Sequence, residues 1–209
     1  MKYPLGKKPN NKKEKIINYS NRGMDLESDI NITNEYYRSI EKAFIYKKPT
    51  PIQVVKVDYS KNKKITEAYF KESSTTDYNG IYKGKYIDFE AKVTNTLSFP
   101  LKNIKNHQIT HLIKIKENGG ISFIIVRFEK KQENYLLETE KLEQILNDDI
   151  KTIKLDFFKD NGYLIPIKYK ERIDYLEIID KLYGDILWKI LKEVLEEMKA
   201  ILELVIKIK

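Results

Sequence analysis

The chain has 209 residues, 41% hydrophobic and 33% charged. This favours one folded domain of ordinary size with flanking segments and excludes disorder throughout. Its 39 Lys and Arg exceed its 31 Asp and Glu, which favours a polyanionic partner such as DNA, RNA or anionic lipid. The absence of cysteine excludes disulfides, iron–sulfur clusters, thiolate zinc sites and a cysteine nucleophile.

The amino-terminal segment carries most of the excess positive charge. Residues 1–22 contain six Lys and one Arg against one Glu, which predicts a disordered basic arm or, more plainly, a solubilising tail. No apolar stretch follows this charge, so a secretory signal is not expected, and no segment has the ~20 uncharged apolar residues of a membrane-spanning helix. We therefore expect a cytoplasmic protein with no membrane partner.

One helix followed by strands is predicted at the start of the folded region. Apolar residues from Leu26 to Phe44 recur at helical spacing and predict an amphipathic helix over about Arg22–Lys42. Short β-like runs follow at Ala43–Tyr46 and Ile52–Tyr59.

A projecting hairpin comes next. Residues 60–80 are polar, basic and aromatic in turn, and they end in Asn79-Gly80, a dipeptide that favours a tight hairpin turn. Lys85–Val93 then alternates between apolar side chains on one face and polar or amphipathic ones on the other. The following pattern predicts, in chain order, a helix, two strands and two short helices: Lys102–Glu117, Ile121–Phe128, Tyr135–Leu137, Lys141–Leu146 and Arg172–Tyr183. Residues 184–209 predict one long helix whose wide apolar face packs on another element or another chain.

An acidic pair and one amine form the most informative cluster. Glu90 and Lys92 share one face of a strand, and Asp77, just before the predicted turn, can lie beside them on the neighbouring strand. Two carboxylates suit a hard cation such as Mg²⁺, and an ammonium stabilises charge on a phosphate being cut. The plainer alternative is a surface salt-bridge ladder. Asp88 competes with Asp77 as first carboxylate, and Thr75 is a candidate oxygen donor.

Two helical residues are further candidates for the site. Glu27 borders the apolar stripe of the first helix and could lean into a site; the plainer alternative is a solvated carboxylate. Gln108 occupies an otherwise apolar line of the second helix and therefore requires a partner, either a metal-bound water or the backbone. His107 and His111 have the spacing of a zinc helix, but the sequence has no third His or Cys, so we reject zinc.

The hairpin and the residues before it favour nucleic-acid binding. The basic arm, Lys47-Lys48, and Lys63 and Lys64 on the hairpin are predicted to contact phosphates. Tyr69 and Phe70 are predicted to stack on unpaired bases such as those at a branch point. We expect at least one of these two aromatic rings to pack on the base of the hairpin instead.

Five sequence strings carry a family resemblance: SNRGMDLESDIN with the following TN and YY, YKKPTPIQVVKVDY, EAYFKESSTTDYNGIYKGKYIDFEAK, SFPL and HQITH. Together they resemble the RecU family of bacterial Holliday junction resolvases over about Tyr19–Tyr183. The resemblance implies an α/β, restriction-endonuclease-like fold with a mixed central sheet flanked by helices and a projecting β-hairpin stalk. It also implies a PD-(D/E)xK-type nuclease core, Mg²⁺ dependence, a symmetric homodimer and an association with RecA.

The resemblance also implies a division of the chain and a set of roles. Taken with the charge and helix patterns above, it divides the chain into a disordered arm at 1–22, a nuclease domain at 23–183 with a stalk at about 58–78, and a helical extension at 184–209 that has no family counterpart. It favours Asp77 over Asp88. The implied metal-shell residues are Thr75, Asp77, Glu90 and Gln108, the implied transition-state stabiliser is Lys92, and the implied DNA contacts are Lys47, Tyr69 and Phe70. Together with Glu27, a candidate from its position on the first helix, the predicted catalytic residues are Asp77, Glu90, Lys92 and Glu27.

The leading hypothesis is therefore a Mg²⁺-dependent, structure-selective endonuclease that resolves four-way junctions by symmetric paired nicks in recombination and repair, at the nucleoid. One alternative is a junction-binding, RecA-modulating protein whose nuclease is weak or silent. Another is a conventional restriction enzyme, against which the projecting basic hairpin argues.

Overall fold

The computed structural model describes residues 25–60, 63–70, 75–148, 150–184, 194–196 and 198–199. The predicted arm 1–22 and most of the predicted helix 184–209 lie outside these ranges; residues 194–196 and 198–199 are helical. Among the described residues, no helix combines the length and apolar character needed to cross a bilayer.

Apart from the helical residues 194–196 and 198–199, the described residues form five α-helices and ten strands. The helices are α1 (Leu26–Ser39), α2 (Asn106–Glu117), α3 (Thr139–Asn147), α4 (Leu155–Asn161) and α5 (175–184). The strands are β1 (Phe44–Lys47), β2 (Ile52–Asp58), β3 (Lys64–Phe70), β4 (Tyr78–Tyr82), β5 (Lys85–Thr94), β6 (Ser98–Pro100), β7 (Ile121–Phe128), β8 (Glu133–Glu138), β9 (Thr152–Lys154) and β10 (Tyr163–Ile165). A 3₁₀ turn at Leu101–Asn103 takes the place of the first residues predicted for the second helix.

The central sheet has the strand order β1-β4-β5-β7-β8-β10. Strands β5 and β7 are parallel, and the other neighbours are antiparallel. A parallel pair needs a crossover connection, which here includes α2. The mixed α/β architecture with a central mixed sheet is thereby confirmed.

Helices cover both faces of this sheet and enclose two cores. Every residue of β7 is buried. Phe123 belongs to the core that includes α1 and α5 residues, whereas its neighbour Ile124 belongs to the core that includes α2, α3 and α4 residues. On β5, Phe89 packs in the first core. Its neighbour Glu90 is the register partner of Ile124 on β7, and Ile124 belongs to the second core. The polar face of β5 therefore lies beneath α2.

The predicted turn at Asn79-Gly80 is wrong, because both residues lie inside β4. The turn is instead at Lys83-Gly84, where both residues have positive φ, 47° and 74°, as a tight hairpin turn requires. Gly80 instead allows β1 and β4 to approach each other closely. A Cβ there would lie 2.1 Å from the Phe44 carbonyl oxygen.

The projecting hairpin consists of β2 and β3, which pair antiparallel from Ile52↔Phe70 to Asp58↔Lys64. Among the described residues, these two strands pair only with each other, and nearly all their side chains are exposed. The hairpin thus spans 52–70, whereas the stalk predicted at about 58–78 omits most of β2 and includes the first residue of β4. Apolar residues such as Ile52, Val54 and Ile65 are exposed in these strands, so the apolar pattern does not distinguish the hairpin from sheet strands that pack in the core.

Candidate active site and DNA-binding surface

Glu90 is at the centre of the candidate site. Its side chain is fully buried between β5 and α2. Its Oε1 accepts a hydrogen bond of 2.8 Å from Gln108 Nε2 and also contacts the Lys92 ammonium. Its Oε2 is buried and receives no hydrogen bond from any described residue. One oxygen is therefore fixed and the other is open to a cation.

Asp77 lies beside Glu90 because β4, which follows it, pairs with β5. Asp77 Oδ2 accepts a hydrogen bond of 3.1 Å from the backbone N of Ala91. Burial and then repulsion by Asp77 raise the pKa of Glu90 to about 7, against the opposing effect of Lys92. The structure thus brings together Asp77, Glu90 and Lys92, and the burial of Glu90 is incompatible with a surface salt-bridge ladder.

The two carboxylates fit a hard divalent cation. Carboxylate oxygens are the ligands that Mg²⁺ prefers, and it commonly uses one or two of them together with water and substrate phosphate. The Oε2 atom of Glu90 supports a bound cation at this position. It is buried and accepts no hydrogen bond from a described residue, and a buried polar atom without a partner is costly. In the described part of the chain, no group of three or more His, Asp or Glu side chains is arranged to hold a metal ion.

Asp88, the competing carboxylate, is saturated by donors. Its Oδ1 accepts from the Thr76 hydroxyl. Its Oδ2 contacts Lys48 Nζ at 2.6 Å, the Tyr86 hydroxyl at 3.0 Å and His111 Nε2 at 3.1 Å. A carboxylate has about four lone-pair sites, so Asp88 has little capacity left for a metal. This geometry favours Asp77 over Asp88 independently of any resemblance.

Lys48 does not take the position expected of a phosphate contact. Its side chain is 14% exposed and forms an ion pair with Asp88. No local pattern indicates this ion pair, because the two residues are 40 positions apart in the chain. Only the Tyr86 contact could be anticipated, since Tyr86 shares the strand face of Asp88 at a spacing of two.

Gln108 has the partner that its position required, and that partner is Glu90. Its Oε1 accepts from the Lys105 backbone N at 3.0 Å, which caps α2 and fixes the side chain. Thr75 is exposed, and its hydroxyl accepts from Lys48 at 3.1 Å.

Glu27 and Lys47 form an ion pair at the edge of the site. Lys47 is paired with Tyr78 across β1 and β4, and the Tyr78 hydroxyl donates to Asn31 Oδ1 at 3.1 Å. Burial, followed by the carboxylates of Glu27 and Asp77, raises the pKa of Tyr78. Glu27 is therefore near the acidic cluster, but its own side chain is half exposed.

The hairpin presents the other predicted DNA contacts. Lys63 and Lys64 are exposed at its turn, and Tyr69 and Phe70 on β3 are 58% and 76% exposed. The expectation that one aromatic ring packs on the hairpin base is wrong, since both remain accessible.

The comparisons with known proteins agree with the earlier resemblance. The family model described as Recombination protein U, RecU, matches residues 21–181. The Holliday junction resolvase RecU of Geobacillus kaustophilus is 49% identical over 195 residues, covering 88% of this chain and 98% of that protein. The Holliday junction resolvase RecU of Oceanobacillus iheyensis is 53% identical over 172 residues, covering 79% and 88%.

Among solved structures, Archaeoglobus fulgidus Hjc, a Holliday junction resolvase, aligns with a TM-score of 0.38 and 9% identity over 63% of this chain and 92% of that chain. The match to the RecU model covers most of the chain, and the curated relatives share about half of their residues with it. The chain therefore belongs to the RecU family.

Proposed function

We propose that this protein is a Mg²⁺-dependent endonuclease that resolves four-way DNA junctions by symmetric paired nicks in recombination and repair. The observation that carries the proposal is the buried Glu90 carboxylate. Gln108 and Lys92 fix one of its oxygens, and the other lies beside Asp77 and accepts no hydrogen bond from a described residue. This site belongs to a chain whose curated relatives are named Holliday junction resolvase.

Asp77 and Glu90 would hold the metal ion, with Thr75 and Gln108 around them. Bound Mg²⁺ would supply Lewis acidity for activating water and neutralising phosphate charge. Lys92 keeps a 25% exposed side chain beside buried Glu90, so its ammonium can reach a phosphate at the surface and stabilise the charge that develops there. Gln108 holds Glu90 in one orientation from its capped position on α2.

Lys47 and Glu27 would act at the edge of the same site. The Lys47 ammonium is exposed enough to exchange Glu27 for a DNA phosphate. Glu27 contributes a further acidic group to the site and is a catalytic candidate on account of its position beside Tyr78.

The hairpin would enter the centre of the junction. Its exposed Lys63 and Lys64 are suited to contact DNA phosphates. Its exposed Tyr69 and Phe70 are suited to stack on unpaired bases. A linear duplex offers no unpaired bases at its middle, so this surface favours branched DNA.

The proposed activity requires an assembly with two active sites. Two symmetric nicks need two sites, which a twofold homodimer supplies by using the same surface twice. An association with RecA, and a location at the nucleoid in the cytoplasm, follow from the family resemblance and the proposed DNA substrate.

A titration of Mg²⁺ on a mobile four-way junction and on a linear duplex of the same sequence tests this function. We expect metal-dependent paired nicks in the junction and little cleavage of the duplex, with Lys92→Ala binding the junction but not cutting it. Junction binding by the wild type without cleavage at any Mg²⁺ concentration would support the RecA-modulating alternative instead. Equal cleavage of both DNAs would support a conventional restriction enzyme.

A further inference from the structure

We propose that the buried Lys48–Asp88 ion pair is a positioning device for the metal site. It would fix residues 75–77 against β5 so that Asp77 faces Glu90, although neither Lys48 nor Asp88 would touch the metal. This inference rests on the proposed function, since it takes Asp77 and Glu90 as the metal ligands.

Lys48 contacts three consecutive residues of the segment that carries Asp77. Its backbone N donates to the Asp77 carbonyl oxygen at 2.8 Å. Its ammonium donates to the hydroxyl oxygen of Thr76 at 2.6 Å and to that of Thr75 at 3.1 Å. The same ammonium pairs with Asp88 on β5 at 2.6 Å. One residue, through its backbone N and its ammonium, thus ties the whole segment to the strand that carries Glu90.

This segment needs such a tie because of its place in the chain. Residues 75–77 return from the hairpin and precede β4, which begins at Tyr78, so no described strand ladder holds them. Lys48 directly follows β1 on the outgoing side. The two connections of the hairpin therefore meet at Lys48, and the returning one carries a metal carboxylate.

The pair is buried, which makes it a rigid tie. Asp88 is fully buried, and Lys48 is largely so. Three further groups, Thr76, Tyr86 and His111, hold the Asp88 carboxylate in place. Partners behind a metal ligand that fix its orientation typically contribute 10- to 100-fold to metal affinity.

The test is the double variant Lys48→Met with Asp88→Asn, which removes both charges and so leaves no unpaired buried charge. We expect its Kd for Mg²⁺, measured by calorimetry on the metal-free protein, to rise roughly 10- to 100-fold. The Mg²⁺ concentration for half-maximal nicking should rise in parallel, and saturating Mg²⁺ should restore most of the rate. Junction binding without metal should be unchanged.

The matched control is Lys168→Met, which breaks the ion pair between Lys168 and largely buried Asp174 and should leave the Kd for Mg²⁺ unchanged. Wild-type Mg²⁺ affinity in the folded double variant would overturn the inference, as would an equal loss of affinity in the control. If the double variant does not fold by circular dichroism, Thr76→Val, which removes one bridging hydroxyl, provides the same comparison. Failure of the wild type itself to bind Mg²⁺ would instead overturn the proposed metal site.

Discussion

Gln108 on α2 donates a hydrogen bond of 2.8 Å to Oε1 of Glu90 on β5, across the space between helix and sheet. Because Lys92 contacts the same oxygen, both donors act on one side of the carboxylate. The orientation of Glu90 is therefore set by the protein before any metal binds, which is the arrangement expected of a preorganised site.

Glu90→Gln should abolish stabilisation by Mg²⁺. The substitution removes one of the two carboxylates that are candidate metal ligands. It also replaces a buried carboxylate, one oxygen of which accepts no hydrogen bond from a described residue. Thermal unfolding in EDTA should occur at a temperature equal to or above that of the wild type, because the substitution removes the repulsion from Asp77 and a buried carboxylate oxygen that lacks a donor. Added MgCl₂ should raise the Tm of the wild type but not that of the variant.

Glu177→Gln is a suitable comparison for this prediction. Glu177 lies on α5, which packs on the other side of the sheet from α2, and it pairs with Lys168 and Lys181. This variant should respond to MgCl₂ as the wild type does. An unchanged Mg²⁺ response in Glu90→Gln would remove Glu90 from the metal site.

Tyr69→Ala and Phe70→Ala should weaken junction binding without loss of stability. Both rings are exposed on β3, so the free energy of unfolding should change by no more than about 0.5 kcal/mol. Loss of base stacking should cost about 1–3 kcal/mol per ring in junction binding, measured by fluorescence anisotropy. Val55→Ala, an exposed aliphatic residue of β2, is the control; if it weakens binding as much as the aromatic variants do, stacking is not the cause.

Asp174 should contribute stability that is lost in acid. Burial alone would raise its pKa, but the Tyr37 hydroxyl and the Lys168 and Lys42 ammonium groups outweigh burial and lower the pKa. A carboxylate with a depressed folded-state pKa stabilises the fold above its unfolded pKa of about 3.9, and this stabilisation disappears as the pH falls through the folded-state pKa.

Urea unfolding of the wild type and Asp174→Asn measures this effect. At about pH 6 we expect the variant to be less stable by about 1.5–3 kcal/mol, since hydrogen bonds to a charged group are lost. At about pH 3 the difference should shrink. A difference of the same size at both pH values would show that the charge of Asp174 is not responsible.

Gly80→Ala should destabilise the sheet. The added Cβ would lie 2.1 Å from the Phe44 carbonyl oxygen and 2.5 Å from the Ile45 Cα, and backbone atoms cannot move aside as a flexible side chain can. We expect a loss of about 1–3 kcal/mol, measured by chemical denaturation. Gly184→Ala, where no heavy atom lies within 4 Å, should be close to neutral; equal effects would contradict the close approach of β1 and β4.

Local patterns predicted most of the longer helices and strands and one side of the site. Period-two spacing correctly placed Glu90 and Lys92 on one face of β5, and helical spacing correctly made Gln108 a buried polar residue in need of a partner. Four elements that the patterns did not predict, β6, β9, α4 and β10, are short, and so carry few periods of either pattern.

The remaining errors come from contacts between distant segments. Asn79-Gly80 has the chemistry of a turn, but Gly80 is needed because β1 passes against β4, a contact between residues 35 positions apart in the register Ile45↔Gly80. The role of Lys48 likewise depends on Asp88, which only the folded sheet brings near. Such pairings are tertiary and override local preference.

Anomalous diffraction from crystals of the protein soaked in MnCl₂ tests the central claim most directly. We expect a manganese peak bound by Asp77 and by Oε2 of Glu90, at about the 2.1 Å typical of small octahedral cations, and its absence in Glu90→Gln crystals. A peak at Asp88, or none near residue 90 at saturating MnCl₂, would contradict the account.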